Sequence, residues 1–243
     1  HVQQAIAFFA ELNRKRGALD SARLLPVASE ACFSVRDHVN CVAGRVGALL
    51  CMGAKDEVSR RALHFVREML HPAWEKVKET VSQRLGTARD EWNRVIGEEE
   101  RCISPSDFGF HNAIRGRDGR LRFIDFEYAG WDDPAKTVCD FFCQQEVPVP
   151  HSYMPKFVEA VGQIVSPEHL VRERVRALLP LYRIKWCCII LNDFLSVGRC
   201  RREFAVGMPD DRDRRGLQLD KARAYLADFI TASALSGELN AVH

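Results

Sequence analysis

The chain has 243 residues, of which 47% are hydrophobic and 28% charged, enough to bury a sizeable core. Its net charge of +2 excludes nucleic-acid binding driven by overall electrostatics. The longest apolar run, Trp186 to Leu191, is far short of the ~20 residues that a membrane span requires, so no membrane partner is expected.

In chain order, Val2, Ile6, Phe9 and Leu12 repeat at helical spacing, and Gly17 after Arg14-Lys15-Arg16 predicts a C-terminal stop. Ser34 and Asp37 form a capping box with Asp in place of the usual Glu, ahead of an apolar stripe Val35, Val39, Val42, Val46 and Leu49. Val58, Ala62, Phe65, Val66 and Met69 predict the next helix, up to His71-Pro72. Trp74, Val77 and Val81 continue it as a kinked or separate segment. Residues 89–96 predict a short helix before a Cys102-Ile103 strand.

Pro134 fits the first turn of a helix through Phe142. Tyr153 to Ile164 is another, Pro167 opens a long helix to about Leu195, and Leu217 to Leu235 closes the chain. In the long helix, Arg172, Arg174 and Arg176 do not share a face, which predicts solvated side chains rather than a phosphate clamp. Gly198 to Gly216, dense in mixed charge, reads as a solvated loop or as a substrate-recognition loop. No internal repeat or domain linker is evident.

The nine cysteines are scattered and lack paired C-x-x-C units, against a zinc site. Cys139 and Cys143 stand one helical turn apart, and Cys187-Cys188 lie in an apolar stretch. Free thiols in a reducing cytoplasm are the expectation.

The chemistry concentrates between Ser104 and Glu127. Asp107 is followed five positions on by Asn112, and Asp125 comes thirteen after that. Between them, Arg115-Gly116-Arg117-Asp118-Gly119-Arg120 carries an Asp-Gly step that predicts a hairpin turn. Its two short strands would set Asn112 and Asp125 side by side at one end. Asp and Asn oxygens are hard ligands, suited to Mg²⁺ rather than zinc. Phosphoryl transfer from a magnesium-nucleotide needs this set: a carboxylate to receive and orient the attacking hydroxyl, and an amide oxygen with a carboxylate to hold the metal. The bland alternative is a surface hairpin with an ordinary N-cap Asp.

Ser104 to Asn112, Phe123 to Glu127 and Gly130-Trp131-Asp132-Asp133-Pro134 resemble the aminoglycoside phosphotransferase and choline kinase family, within the protein-kinase-like fold. The family's H-G-D-x-x-x-x-N and I-D-[FW]-E motifs carry its catalytic Asp and its metal-binding Asn and Asp. The resemblance implies Asp107 as catalytic base, Asn112 and Asp125 as the Mg²⁺ and ATP-binding pair, and structural roles for Asp133 and Asp140. It implies a mainly α fold with a small β-hairpin element, a protein-kinase-like carboxy-terminal lobe over residues 1–243. The activity implied is ATP-dependent phosphorylation of a small-molecule hydroxyl acceptor.

The chain departs from the family in having Pro105 where His stands two residues before the Asp. It also has no Gly-rich loop with a strand Lys and a helical Glu upstream of Ser104. The expectation is a carboxy-terminal lobe cut near the hinge, inactive by itself. Two other readings stay open: a non-catalytic pseudokinase-like binding protein, and a metal-dependent hydrolase built on Asp107, His111 and Asp125. His111 is expected to have a structural or surface role rather than a catalytic one.

Overall fold

The computed structural model describes residues 1–14, 16, 24–85, 92–165, 167–195 and 211–236. Among the described residues eight helices dominate: α1 (Val2–Asn13), α2 (Val35–Leu50), α3 (Glu57–Phe65), α4 (His71–Leu85), α5 (Pro134–Cys143), α6 (Met154–Val165), α7 (Glu168–Ile190) and α8 (Asp211–Ser236). Four three-residue strands, β1 (Cys102–Ser104), β2 (Ala113–Arg115), β3 (Leu121–Phe123) and β4 (Gly130–Asp132), form two antiparallel pairs, β1 with β4 and β2 with β3. This is the expected mainly α architecture with its small hairpin. The chain divides into two compact units, one over residues 1–38 and 85–179 and the other over 39–84 and 180–241.

The first unit carries the motif residues. Its core is aromatic. Phe108 lies 5.0 Å from Phe141 and 5.1 Å from Phe123 between ring centres, and Phe141 stacks on Phe157 at 4.7 Å. Phe8 of α1 stacks on Phe123 at 4.6 Å. Such pairs add ~0.5–1.5 kcal/mol each beyond area burial, so the loop around Phe108 is pinned from several sides. Asn13 at the end of α1 fixes β1 as well. Its side-chain amide donates to the carbonyl of Ile103 and its oxygen accepts from the N–H of Ile103, at 3.0 and 2.8 Å.

Local rules explain where elements start. The Ser34–Asp37 capping box forms as expected: the Asp37 N–H donates to Ser34 Oγ and the Ser34 N–H to Asp37 Oδ2, both at 3.1 Å. Asp133 caps α5 through the N–H of Ala135 at 2.8 Å, and Pro134 fills the first turn, where no N–H is needed. Gly130 is required by close approach. A Cβ there would lie 2.3 Å from the Pro26 carbonyl oxygen and 2.7 Å from the Ala28 nitrogen, where residue 27 bridges to Trp131.

In the second unit, α3 passes into α4 through one π turn, Val66–Leu70, rather than stopping at His71-Pro72. Pro72 has no N–H for an ordinary helical bond, and the wider turn takes up the mismatch. Val58, Ala62, Phe65, Leu70 and Trp74 are buried there, as are Leu181, Ile184, Cys187, Leu219 and Leu226.

The last helix corrects the sequence reading. α8 begins at Asp211, six residues before the expected Leu217, so the segment assigned to a charged loop supplies its first turns. Arg215 there is buried and pairs with Asp56 at 2.8 Å while donating to Ser59 Oγ at 3.0 Å. The remainder of that loop, Gly17 and residues 86–91 lie outside the described residues. Of the short helix expected over 89–96, residues 92 and 93 are helical and 94–97 are irregular.

Among the described residues no helix is long and apolar enough to cross a membrane. Eight described cysteines are free thiols, six of them buried; Cys41 is half-buried and Cys51 exposed. Burial pushes Cys102 and Cys187 well above the usual thiol value and Cys188 up to about 12, which makes them poor nucleophiles.

Candidate active site

β1 delivers the chain to Pro105, and the next two residues form a tight, strained corner. Ser106 has φ +70°, in the left-handed region that favours glycine. A non-glycine residue there costs roughly 1 kcal/mol, and two hydrogen bonds hold it in place. Its N–H donates to Ser104 Oγ at 3.0 Å, and its hydroxyl donates to the carbonyl of Ser29 at 3.0 Å. Ser104 is itself buried and accepts from Thr137 Oγ1 of α5 at 3.2 Å. A chain of hydroxyls thus ties the corner to the helix behind it.

The corner presents Asp107, whose carboxyl is 48% exposed, while Phe108 turns inward to the aromatic core. A 3₁₀ turn, Phe110–Asn112, follows and bends back on Asp107. The Asn112 side-chain NH₂ donates to the Asp107 carbonyl at 3.0 Å, and His111 Nε2 meets Asp107 Oδ1 at 3.1 Å. Because its nitrogen is committed, Asn112 offers its amide oxygen as the atom able to ligate a cation.

The hairpin closes as its Asp-Gly step predicts. Gly119 takes φ +76°, and the Gly116 N–H donates to the Arg120 carbonyl at 2.8 Å. The register pairs Ala113 with Phe123, and one bond beyond it the Ile124 N–H donates to the Asn112 carbonyl at 2.9 Å. Asp125 is therefore the next residue after the one bonded to Asn112. It is exposed and left-handed, φ +65°, a conformation that Asp tolerates better than most side chains. These bonds set Asn112 against the backbone of Asp107 and place Asp125 one residue beyond the end of the ladder.

Asn112 and Asp125 are the residues that could offer two oxygen donors to a cation. That set suits Mg²⁺, which keeps several waters and takes further oxygens from phosphates rather than from an all-protein cage. Among the described residues there is no cluster of three His, Cys, Asp or Glu side chains that could hold a metal alone. The hydrolase arrangement loses support: His111 Nδ1 is enclosed and its Nε2 faces Asp107, on a 3₁₀ turn rather than a helix.

Behind the site lies a buried charge network that sequence reasoning missed in part. Asp133 is fully buried. Its Oδ2 accepts from Arg174 Nε at 2.6 Å and meets His38 Nε2 at 3.0 Å. Arg174 also donates to the Phe33 carbonyl, so this arginine is structural and not solvated as its position on the long helix suggested. Burial alone would raise the Asp133 carboxyl, but the Arg174 charge and the His38 hydrogen bond hold it well below the usual carboxylate range. His38 is shifted down, first by burial, with Arg174 and Lys136 adding to that against the pull of Asp133.

One turn along α5, Lys136 is buried between Asp132 at 2.6 Å and Asp140 at 3.4 Å. Burial pushes Asp132 up to about 6 despite Lys136, and the two carboxylates raise Lys136 above its ordinary value. The expected structural roles of Asp133 and Asp140 have this physical form. No local signal marks His38 or Arg174, because each meets Asp133 only through the tertiary fold. A cavity of about 140 Å³, lined by Val35, Arg94, Glu100, Asp133, Leu170 and Arg174, adjoins this network and not the Asp107 corner.

No protein-family model and no curated protein matches the chain. Among solved structures, spectinomycin phosphotransferase APH(9)-Ia, determined in complex with ADP and spectinomycin, superposes with a TM-score of 0.52 at 12% identity over 92% of this chain. The fold is a protein-kinase-like carboxy-terminal lobe. Ethanolamine kinase of Plasmodium vivax gives a TM-score of 0.45 at 12% identity, and choline kinase of Cryptosporidium parvum Iowa II gives 0.40 at 11%. They are matched over 92% and 93% of this chain. The kinase-like lobe spans 64% of the spectinomycin enzyme, 61% of the ethanolamine kinase and 64% of the choline kinase.

Proposed function

We propose that the chain is the catalytic and acceptor-binding lobe of an ATP- and Mg²⁺-dependent phosphotransferase acting on a hydroxyl of a small molecule. One observation carries the reading: the Asn112 NH₂ bonds the Asp107 carbonyl while the Asn112 carbonyl bonds the N–H preceding Asp125. The Asn112 side chain is thereby bonded to the backbone of Asp107, and the Asn112 backbone to the residue before Asp125. The likeness in fold to spectinomycin phosphotransferase supports the same class of chemistry.

In this mechanism Asp107 accepts a hydrogen bond from the acceptor hydroxyl and aligns its oxygen with the γ-phosphorus of ATP; it takes the hydroxyl proton as the new P–O bond forms and the bond from that phosphorus to the β,γ-bridging oxygen breaks, releasing ADP. Asn112 and Asp125 would hold the cation through an amide oxygen and a carboxylate. When bound, magnesium supplies charge neutralisation at the phosphate oxygens. The aromatic core and the Ser104–Ser106 hydroxyl chain keep the three groups in place, and positioning of this kind accounts for much of the rate in phosphoryl transfer.

Titration calorimetry with ATP, with and without Mg²⁺, tests the metal half of the site. Magnesium-dependent binding should be lost in Asp125→Ala and kept in Asp107→Asn. Turnover of an alcohol panel by the full-length protein should be abolished in both variants. Wild-type rates in either variant would refute the assignment, and nucleotide binding that ignores Mg²⁺ in the full-length protein would favour a pseudokinase-like binding role.

A further inference from the structure

Asp107 sits in a corner whose preceding residues offer its side chain little. Pro105 has no N–H and no polar side chain, and the Ser106 hydroxyl is spent on Ser29. One group that reaches the carboxylate comes from the other direction: His111 Nε2 lies 3.1 Å from Asp107 Oδ1. The ring is largely buried, with 16% of its side chain exposed against 48% for Asp107. Its Nδ1 is enclosed and meets no hydrogen-bond partner among the described residues. A proton on Nδ1 would be a buried, unsatisfied donor, so the neutral ring carries its proton on Nε2 and donates it to the carboxylate.

Gly109 makes room for this ring. Its φ of −173° is extended backbone that any residue adopts, so conformation does not call for glycine. Space does. A Cβ at this position would lie 2.5 Å from both Nδ1 and Cε1 of His111 and 3.2 Å from Gln144 Cγ.

We propose that His111 is a positioning residue for Asp107, seated over Gly109 so that its Nε2–H holds the carboxylate in the orientation that receives the acceptor hydroxyl. This rests on the phosphotransfer reading of Asp107. It assigns a purpose to His111, which acts through Asp107, and to the glycine two residues before it.

The test compares His111→Ala, His111→Gln and Gly109→Ala in the full-length protein, with the alcohol found by the panel and Mg·ATP as substrates. His111→Ala and Gly109→Ala should lower kcat about 10²-fold, the cost of a carboxylate misplaced by about 1 Å. The Kd for Mg·ATP should stay within about twofold, because Asn112 and Asp125 are intact. His111→Gln, whose amide can donate to the same oxygen, should recover most of the rate. Unchanged kcat in His111→Ala, or losses in all three variants that simply follow their melting temperatures, would overturn the proposal.

Nitrogen-15 NMR of the His111 ring is a readout independent of activity. An Nε2–H tautomer whose imino proton is lost to rapid exchange in Asp107→Ala supports the clamp, and an Nδ1–H tautomer overturns it. If the wild-type protein phosphorylates no alcohol, the phosphotransfer reading fails while the NMR result still decides the contact.

Discussion

Replacing Arg174 by Met keeps the aliphatic stem and removes the guanidinium from a carboxylate with no solvent exposure. Removing one partner of a buried pair costs about 3–5 kcal/mol, because the other charge is left behind. Two features place this variant at the lower end. Asp133 keeps the Ala135 N–H at 2.8 Å and His38 Nε2 at 3.0 Å, and the adjoining cavity of about 140 Å³ is roomy enough for water to reach the carboxylate. The expected loss is about 3 kcal/mol at pH 8, measured by urea unfolding followed by circular dichroism.

The pH dependence of that loss is the sharper test. In the wild-type protein His38 is held below its ordinary value, so stability falls as pH drops through about 6.5, where the unfolded chain takes up a proton that the folded one resists. Arg174 is one cause of that resistance. Without it His38 rises, the folded variant binds the proton more readily, and a charged His38 takes the guanidinium's place beside Asp133. The difference between wild type and Arg174→Met should therefore shrink to about 1–2 kcal/mol at pH 5.5. The titration of Asp132 near 6 is common to both proteins and largely cancels. A loss below about 1 kcal/mol at pH 8, or one that stays constant down to pH 5.5, would refute the coupled network.

Gly130→Ala should destabilise the protein by about 2–3 kcal/mol, since its Cβ meets backbone and not a flexible side chain; a melting temperature within about 2 °C of wild type would count against the close approach. In the second unit, Asp56→Ala removes both the α3 cap and the partner of buried Arg215, for about 2–3 kcal/mol, while Asp56→Asn should lose roughly half as much because it still caps. Equal losses in the two variants, read by chemical denaturation, would show that the cap contributes nothing. Asp56 is held well below the usual carboxylate range, first by the Ser59 N–H and then by Arg215, so its contribution is complete above about pH 4 and fades as pH falls below that. Brief alkylation of the native protein should modify Cys51 and spare Cys102, Cys139, Cys143, Cys187 and Cys188 until denaturant is added, as peptide mass spectrometry would show.

The placement of Asn112 and Asp125 at one end of the hairpin was legible in the amino-acid sequence because its geometry is local. An Asp-Gly turn sets the hairpin register, and the register sets which residues end the ladder. Helix starts at Ser34 and Pro134 were legible for the same reason, since a cap or a proline acts within one turn of its own position. The start of α8 was not legible: the charge density of Asp211 to Gly216 describes a solvated loop until Asp56, far away in sequence, offers the buried Arg215 a partner. Arg174 was misjudged in the same way, because a helical position says nothing about a carboxylate 41 residues away. The seating of His111 over Gly109 also needed coordinates, because neither an enclosed Nδ1 nor an absent Cβ leaves a periodic signature. Short-range backbone chemistry determined where Asn112 and Asp125 stand on the hairpin; the pairing of Asp133 with His38 and Arg174, and of Arg215 with Asp56, was decided only by the tertiary structure, because partners far apart in sequence leave no local signal.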